Sequence, residues 1–73
     1  MTNYYRRLRD MREDHDLTQA QVAAYLGMKQ PQYNRYETGL RDTPTDVLIR
    51  LARLYNTSTD YLLGLTQNPE PYK

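Results

Sequence analysis

The feature that most restricts the fold of this 73-residue chain is the spacing of helix start and stop signals in residues 18–39, TQAQVAAYLGMKQPQYNRYETG. Thr18 stands where a helix N-cap belongs, and apolar residues at helical spacing follow it. Gly27 comes directly after them, where a chain leaving a helix often needs positive φ. Pro31 suits the first turn of a second helix, because backbone N–H groups have no partner within the helix there and the missing N–H of Pro costs nothing. The stretch therefore predicts two short helices joined by a tight turn.

The residues before this pair predict a further helix. Over residues 3–14, apolar side chains recur at Tyr4, Leu8 and Met11, which is the i, i+4, i+7 spacing of one helix face. The charged stretch of residues 13–16 ends this pattern and predicts a turn. The basic side chains of this segment are expected on its solvated side: Arg6, Arg7 and Arg9.

Two more helices are predicted after the pair. Thr43 as N-cap, Pro44 at the first helical position and Asp46 at the third have the spacing of a capping box. Apolar spacing then continues to Tyr55, and a short fifth helix follows over Ser58–Leu63. We therefore expect an all-α fold of five helices, since no strand pattern or repeat interrupts this series.

The expected organisation is one domain over residues 1–65 and a flexible C-terminal tail over residues 66–73, which has two Pro and no periodicity. Eight Tyr, with no Phe or Trp, are expected at the boundary of the core, because a phenol combines a buried ring with a hydroxyl that needs a partner. The first 41 residues hold seven Lys/Arg and five Asp/Glu (+2), and the rest hold three and four (−1). A basic face in the first half is therefore compatible with the composition.

The residue types present exclude several classes of site. Without Cys, the chain has no disulfide, thiolate zinc site or cysteine nucleophile. The single histidine, His15, has no nucleophile or metal-spaced partner, so we expect neither an enzyme nor a bound metal or cofactor. No apolar run approaches the roughly 20 residues of a membrane span, and the first residues lack the apolar core of a signal peptide. We therefore expect a cytoplasmic protein with no membrane contact.

A helical wheel of residues 30–38 separates an apolar side, defined by Tyr33 and Tyr36, from a free polar side. The side chains on or next to the polar side are Lys29, Gln30, Pro31, Gln32, Asn34 and Arg35. In a DNA major groove, Gln and Asn can pair with adenine and Arg with guanine. A plain solvated helix face carries the same residue types, so the pattern alone leaves both interpretations open. The tight turn and the small Ala23 favour DNA, because they allow two helices to approach closely.

Four segments of the chain resemble the Cro/CI-type, lambda-repressor-like helix-turn-helix domains, also called the XRE family: LRDMREDHDLTQAQVAAYLGM, RYETGLRD, LIRLARLYN and STDYLLG. They cover nearly the whole chain, and LTQ followed by RYETG is a specific combination. The resemblance implies a compact five-helix domain. It also implies a transcriptional regulator of the repressor type, which binds double-stranded DNA at a pseudo-palindromic operator as a homodimer.

The same resemblance implies roles for individual residues. Gln19 would contact a phosphate, and Arg41 would approach the DNA backbone from the loop after the third helix. Arg12 and Glu37 would form a buried structural ion pair. The start and outer face of the third helix would read bases, which implicates Lys29, Gln30, Pro31, Asn34 and Arg35, with Gln32 beside them.

Three positions depart from the family pattern. Asp16 stands where Gly is common, and Asp tolerates the left-handed conformation that such a turn needs. Tyr33 stands where Ile or Val is usual, so its hydroxyl is expected near the helix edge. Pro31 replaces a hydrogen-bonding side chain, so its contact is expected to be apolar, for example with a thymine methyl.

A function of another class fits the same sequence. The family also includes antitoxin-like and other protein-interaction modules, which bind a partner protein. The Pro-containing tail, or leucines expected at the surface (Leu40 and Leu65), would then be the docking surface.

Overall fold

The structure is a computed structural model that describes residues 4–71. It contains five helices, as predicted: α1 (Arg6–Asp14), α2 (Gln19–Leu26), α3 (Gln30–Glu37), α4 (Thr45–Leu54) and α5 (Thr59–Leu63). Residues 4–71 include no strand, so the all-α prediction is confirmed. Within the same range, no helix has the length and apolar content needed to cross a membrane.

One core joins the five helices. α2 packs on α3, α1 packs on both α3 and α5, and α4 packs on α5. Each helix contributes one of the large side chains that are completely buried: Leu8, Val22, Tyr33, Leu51 and Leu62. Because all five meet in a single cluster, the position of each helix depends on its neighbours, as expected for a small domain with one hydrophobic core.

The first helix is shorter than predicted. It begins at Arg6, and the backbone of Tyr5 is still extended at the N-cap position. Tyr4 precedes the helix and lies against the Gly39 backbone, where an added Cβ would be only 3.0 Å from the Tyr4 Cβ. The predicted start at Asn3 lies outside the described residues. Tyr4 therefore follows the helical spacing of the sequence without being part of the helix.

The predicted capping box of the fourth helix is wrong. Pro44 is the N-cap, with φ −61° and ψ 151°, and the helix starts at Thr45. The Thr43 side chain is buried instead of capping the helix. The φ to which Pro is restricted suits both the N-cap and the first helical position, so the sequence does not distinguish the two registers. In the structure, the register with Pro44 as the N-cap is the one in which the Thr43 side chain is buried.

Three tyrosines lie inside the core and not at its boundary: Tyr33, Tyr36 and Tyr55. The hydroxyl of Tyr33 is buried with its ring, so the prediction that it lies near the helix edge is wrong. Burial raises the pKa of both Tyr33 and Tyr55, the latter to about 12. These phenols therefore stay neutral and serve as the large aromatic core residues of a chain without Phe or Trp.

The segment after α5 runs irregularly over residues 66–71 and is hydrogen-bonded to α1 and to the loop between α4 and α5. The Arg7 side chain donates to the carbonyl oxygen of Thr66, and the Thr57 hydroxyl donates to the carbonyl oxygen of Pro69. The last residues of the proposed tail, residues 72–73, lie outside the described part. The division into a domain over residues 1–65 and a flexible tail stays a prediction.

Candidate nucleic-acid interface

Local interactions fix the start of α2 and its turn into α3. The Thr18 hydroxyl accepts from the Gln21 N–H at 3.1 Å, and the Gln21 side chain accepts from the Thr18 N–H at 2.8 Å. This is a complete capping box, in which two N–H groups of the first turn are satisfied reciprocally. Gly27 ends the helix in the left-handed conformation, with φ +74°. The predicted two-helix unit and its glycine turn are thus present.

The turn before α2 also takes the conformation expected of it. Asp16, which stands where related domains often have Gly, has φ +55°. Asp is one of the few residues that enter this left-handed region at low cost. The substitution therefore preserves the turn that directs the chain from α1 into α2.

The predicted DNA-contacting residues fall into two groups. The first lies around a shallow groove of about 330 Å³ on the outer side of α3. Three cations and no carboxylate are among the described residues that line it: Lys29, Pro31, Gln32, Arg35, Tyr36 and Arg41. The Arg41 N–H donates to the Arg35 carbonyl at 3.1 Å, which holds the loop beside the helix. Such a groove is electrostatically suited to a polyanion.

The second group forms a chain of side-chain amides between α2 and α3. Gln19 Nε2 donates to Asn34 Oδ1 at 3.0 Å and to Glu37 Oε1 at 3.3 Å. Gln30 Nε2 in turn donates to Gln19 Oε1 at 3.3 Å. Gln30 is exposed, whereas Gln19 and Asn34 are half-buried. A phosphate oxygen only accepts hydrogen bonds, so a phosphate contact by Gln19 requires that one of its two donated bonds be released.

The amide chain ends at a buried ion pair between α1 and α3. Arg12 donates from Nε to Glu37 Oε2 at 2.9 Å and from Nη2 to Glu37 Oε1 at 2.8 Å. The side chains are only 14% and 2% exposed, respectively. Arg12 Nη1 also donates to the Leu17 carbonyl at 2.9 Å, which fixes the segment that leads into α2. The bidentate geometry orients the carboxylate as well as neutralising it.

The ionised form of Glu37 is favoured despite its burial. Burial by itself raises the pKa of this carboxyl, but hydrogen bonds from Arg12 and Gln19 lower it, and the net pKa lies below the usual value. The pKa of Arg12 is raised chiefly by its hydrogen bond with Glu37. Both members of the pair are therefore charged at neutral pH, and the carboxylate acts only as an acceptor.

Arg50 is a structural residue of the site that the sequence did not reveal. From α4, its guanidinium donates to the last carbonyls of α2, with Nη1 2.9 Å from the Leu26 oxygen and Nη2 2.8 Å from the Tyr25 oxygen. The Tyr25 hydroxyl donates back to the Arg50 carbonyl at 3.2 Å. The orphan carbonyls of a helix end are thus satisfied from another helix, which fixes the orientation of α2. No local sequence pattern marks such a role.

Arg7 has a similar role at the other side of the domain, so its assignment to the solvated face of α1 is wrong. Its Nη1 donates to the Tyr61 carbonyl of α5 at 2.8 Å, and its Nη2 donates to Gln67 Oε1 at 2.9 Å. The guanidinium lies 4.0 Å from the centre of the Tyr61 ring. By contrast, Arg6 and Arg9 form exposed pairs along α1, with Asp10 and Glu13.

Comparison with known proteins identifies the same fold unit. A family model described as helix-turn-helix matches residues 8–62, which is more than half of the chain. The match includes most of α1, all of α2, α3 and α4, and most of α5, and thus both groups of predicted contact residues.

Three relatives come from Bacillus subtilis (strain 168). The protein named uncharacterized HTH-type transcriptional regulator YobD is 46% identical over 68 residues, which are 93% of this chain and 61% of that protein. The HTH-type transcriptional regulator ImmR is 42% identical over 59 residues, 81% of this chain and 46% of that protein. The uncharacterized HTH-type transcriptional regulator YqaE is 33% identical over 66 residues, 90% of this chain and 57% of that protein. The chain thus spans about half the length of the curated relatives it matches.

Proposed function

The chain belongs to the Cro/CI-type helix-turn-helix family, and on that premise we propose that it is a sequence-specific DNA-binding transcriptional regulator. In this proposal, α3 enters the major groove of an operator. The names of the three relatives, each an HTH-type transcriptional regulator, support this function. We also propose that the protein is located in the cytoplasm, where a transcriptional regulator reaches the DNA that it binds.

The observation that carries the proposal is the division of α3 into two sides. Tyr33, Tyr36 and Glu37 are buried, so the opposite side of the helix is free to meet a ligand. That side presents Gln30 and Arg35, which are both exposed. An α-helix fits the major groove, where Gln pairs well with adenine and Arg with guanine.

The cationic groove beside α3 suits the phosphates that flank a base-reading helix. Lys29 precedes the helix and Arg41 follows it, so the two cations mark its two ends. Phosphate contacts of this kind set the position of a protein on DNA without reading the sequence. Pro31, exposed in the first turn, is proposed to make an apolar contact with a base, such as a thymine methyl.

We further propose that the protein binds DNA as a homodimer at a pseudo-palindromic operator, and that it acts as a repressor. Two copies related by a two-fold axis place their α3 helices in successive major grooves, about 34 Å apart. The half-site spacing of a selected operator then reports the geometry of the dimer.

The test is selection of bound duplexes from a random pool, followed by affinity measurements on variants. Gln30→Ala and Arg35→Ala should each weaken binding to the selected operator by about 1–3 kcal/mol and relax the preference at one base pair. Lys29→Ala and Arg41→Ala should instead weaken binding to all sequences and reduce the salt dependence by about one counterion each.

Two outcomes would contradict parts of this proposal. Full affinity and unchanged base preference in the Gln30 and Arg35 variants would exclude α3 as the base-reading helix. No enrichment of any sequence by the wild-type protein would favour the alternative function, a protein-interaction module. That alternative has one supporting observation, which is the exposure of Leu40 and Leu65 at 70% and 73%.

A further inference from the structure

The buried ion pair determines which atom of each amide between α2 and α3 donates a hydrogen bond and which atom accepts one. The orientation of a side-chain amide is ambiguous when its neighbours are other amides, because its oxygen and nitrogen have nearly the same shape. Glu37 removes the ambiguity here, because an ionised carboxylate accepts hydrogen bonds and cannot donate them. The Gln19 nitrogen, and not its oxygen, must therefore face Glu37.

The orientation of Gln19 then fixes that of its two neighbours. Its nitrogen carries two hydrogens, and these are directed to Glu37 Oε1 and to Asn34 Oδ1. Its oxygen accepts from the nitrogen of Gln30. Asn34 must consequently direct its oxygen inward to Gln19, which leaves its NH₂ group for a ligand. Gln30 keeps one N–H and its oxygen.

We propose that Gln19 is a positioning residue for base recognition. Because its nitrogen must donate to the Glu37 carboxylate, it also donates to the oxygen of Asn34, and Asn34 then meets DNA as a hydrogen-bond donor. This inference rests on the proposed function, and it deepens it by assigning a chemical preference to one position of the operator. The base pair read by Asn34 should present an acceptor, with guanine (O6 and N7) preferred to cytosine, whose major-groove group is the N4 donor.

The same arrangement separates the chemistry of the two amides on α3. Gln30 has both a donor and an acceptor left, which is the pattern that pairs with adenine. Asn34 has its donor group outward and its oxygen already engaged. The sequence predicted that Gln and Asn alike can pair with adenine. In this proposal only Gln30 keeps the donor and the acceptor which that pairing needs. Arg35 makes no hydrogen bond with Gln19, Gln30 or Asn34 through its side chain within the described structure, so its base preference should not depend on them.

The proposal differs measurably from a phosphate contact by Gln19. A lost phosphate contact weakens binding to all sequences alike, whereas a lost positioning contact changes the preference at particular base pairs. Gln19→Met keeps the length of the side chain and removes both its donor and its acceptor. We expect this variant to lose about tenfold in discrimination at the base pairs read by Asn34 and Gln30, and to keep the preference at the pair read by Arg35.

Asn34→Asp identifies the relevant base pair. The aspartate still accepts from Gln19 but offers no donor, so the preference at its base pair should turn from guanine towards cytosine. The position at which this variant changes the selected sequence is the position at which Gln19→Met must relax it. Gln67→Met is the matched control, because it removes an equally large amide outside α2 and α3. Thermal melting of all three variants establishes that they are folded.

One result would overturn the proposal: an even loss of affinity in Gln19→Met, with every base preference intact, would make Gln19 a phosphate contact. If the wild-type protein selects no sequence, the proposed function fails, and the positioning contact is judged on the free protein by NMR. The Gln19 side-chain NH₂ protons should exchange with solvent more slowly than those of exposed Gln21, whose side chain is hydrogen-bonded through its oxygen. Equal exchange would refute the fixed orientation.

Discussion

Replacement of Arg12 by Met should cost this domain a large part of its stability. Arg12 donates two hydrogen bonds to the Glu37 carboxylate and one to the Leu17 carbonyl. Met fills a similar volume but leaves the Glu37 carboxyl, which is 2% exposed, without its guanidinium partner. Removing one partner of a buried ion pair costs about 3–5 kcal/mol, chiefly because the other charge stays buried without compensation.

The size of this loss is large for a chain of 73 residues. Natural domains have roughly 0.05–0.15 kcal/mol of stability per residue, which gives about 4–11 kcal/mol here. In domains of this size, 1 kcal/mol shifts Tm by about 4–8 °C, so the expected fall is roughly 12–40 °C. Thermal and urea unfolding followed by circular dichroism measures both quantities.

A double-mutant cycle separates the ion pair from general disruption of the core. Glu37→Leu removes the other charge, and the double variant Arg12→Met/Glu37→Leu buries no uncompensated charge. The double variant should therefore be more stable than Arg12→Met alone, with a coupling free energy of about 2 kcal/mol or more. Purely additive losses would refute the reasoning.

Arg9→Met is the matched control for this experiment. It makes the same substitution in the same helix and breaks the ion pair between Arg9 and Glu13, whose side chains are 60% and 52% exposed. Exposed pairs at this helical spacing contribute only about 0.3–0.5 kcal/mol, because water and salt screen them. A loss in Arg9→Met comparable to that in Arg12→Met would show that burial is not the deciding factor.

Two further predictions follow from the charged side chains. The folded pKa of Glu37 lies below its unfolded value of about 4.3, so its contribution to stability is complete above that pH and disappears as the pH falls through the folded pKa. Urea unfolding between pH 6 and about pH 3 should show a steeper loss for the wild type than for Glu37→Gln, and parallel curves would contradict this. Arg7→Met should cost about 1–2 kcal/mol, because it removes the cap on α5, and should speed proteolysis after Thr66. Arg6→Met, at an exposed neighbouring position, should do neither, and equal effects in both variants would refute the capping role.

Local chemistry accounts for the parts of the fold that the sequence predicted well. Thr18 and Gly27 have the cap conformations expected of them, since a cap depends on residues within a few positions along the chain. The prediction for Thr43 used the same rules and was wrong by one residue, since the Thr43 side chain is buried and makes no cap hydrogen bond. Helix type and order were therefore predictable, and the starts of α1 and α4 were not.

The candidate site shows the same division. The sequence identified the outer side of α3, because Tyr33 and Tyr36 mark its buried side by their spacing. It did not predict that Gln19, Gln30 and Asn34 hydrogen-bond with one another, because those contacts depend on the angle at which α2 crosses α3. Side chains that are exposed on separate helical wheels can still meet across a helix pair.

Five helices, the tight turn between α2 and α3, and a polar outer side on α3 could all be predicted from the order of the residues. These features follow from periodicity and capping, which act over a few residues. The packing of the helices sets which charges are buried, which helix ends Arg7 and Arg50 cap, and which amide atoms remain for a ligand. Those properties depend on distances between residues far apart in the chain, because burial and hydrogen-bond partners exist only once the helices are packed.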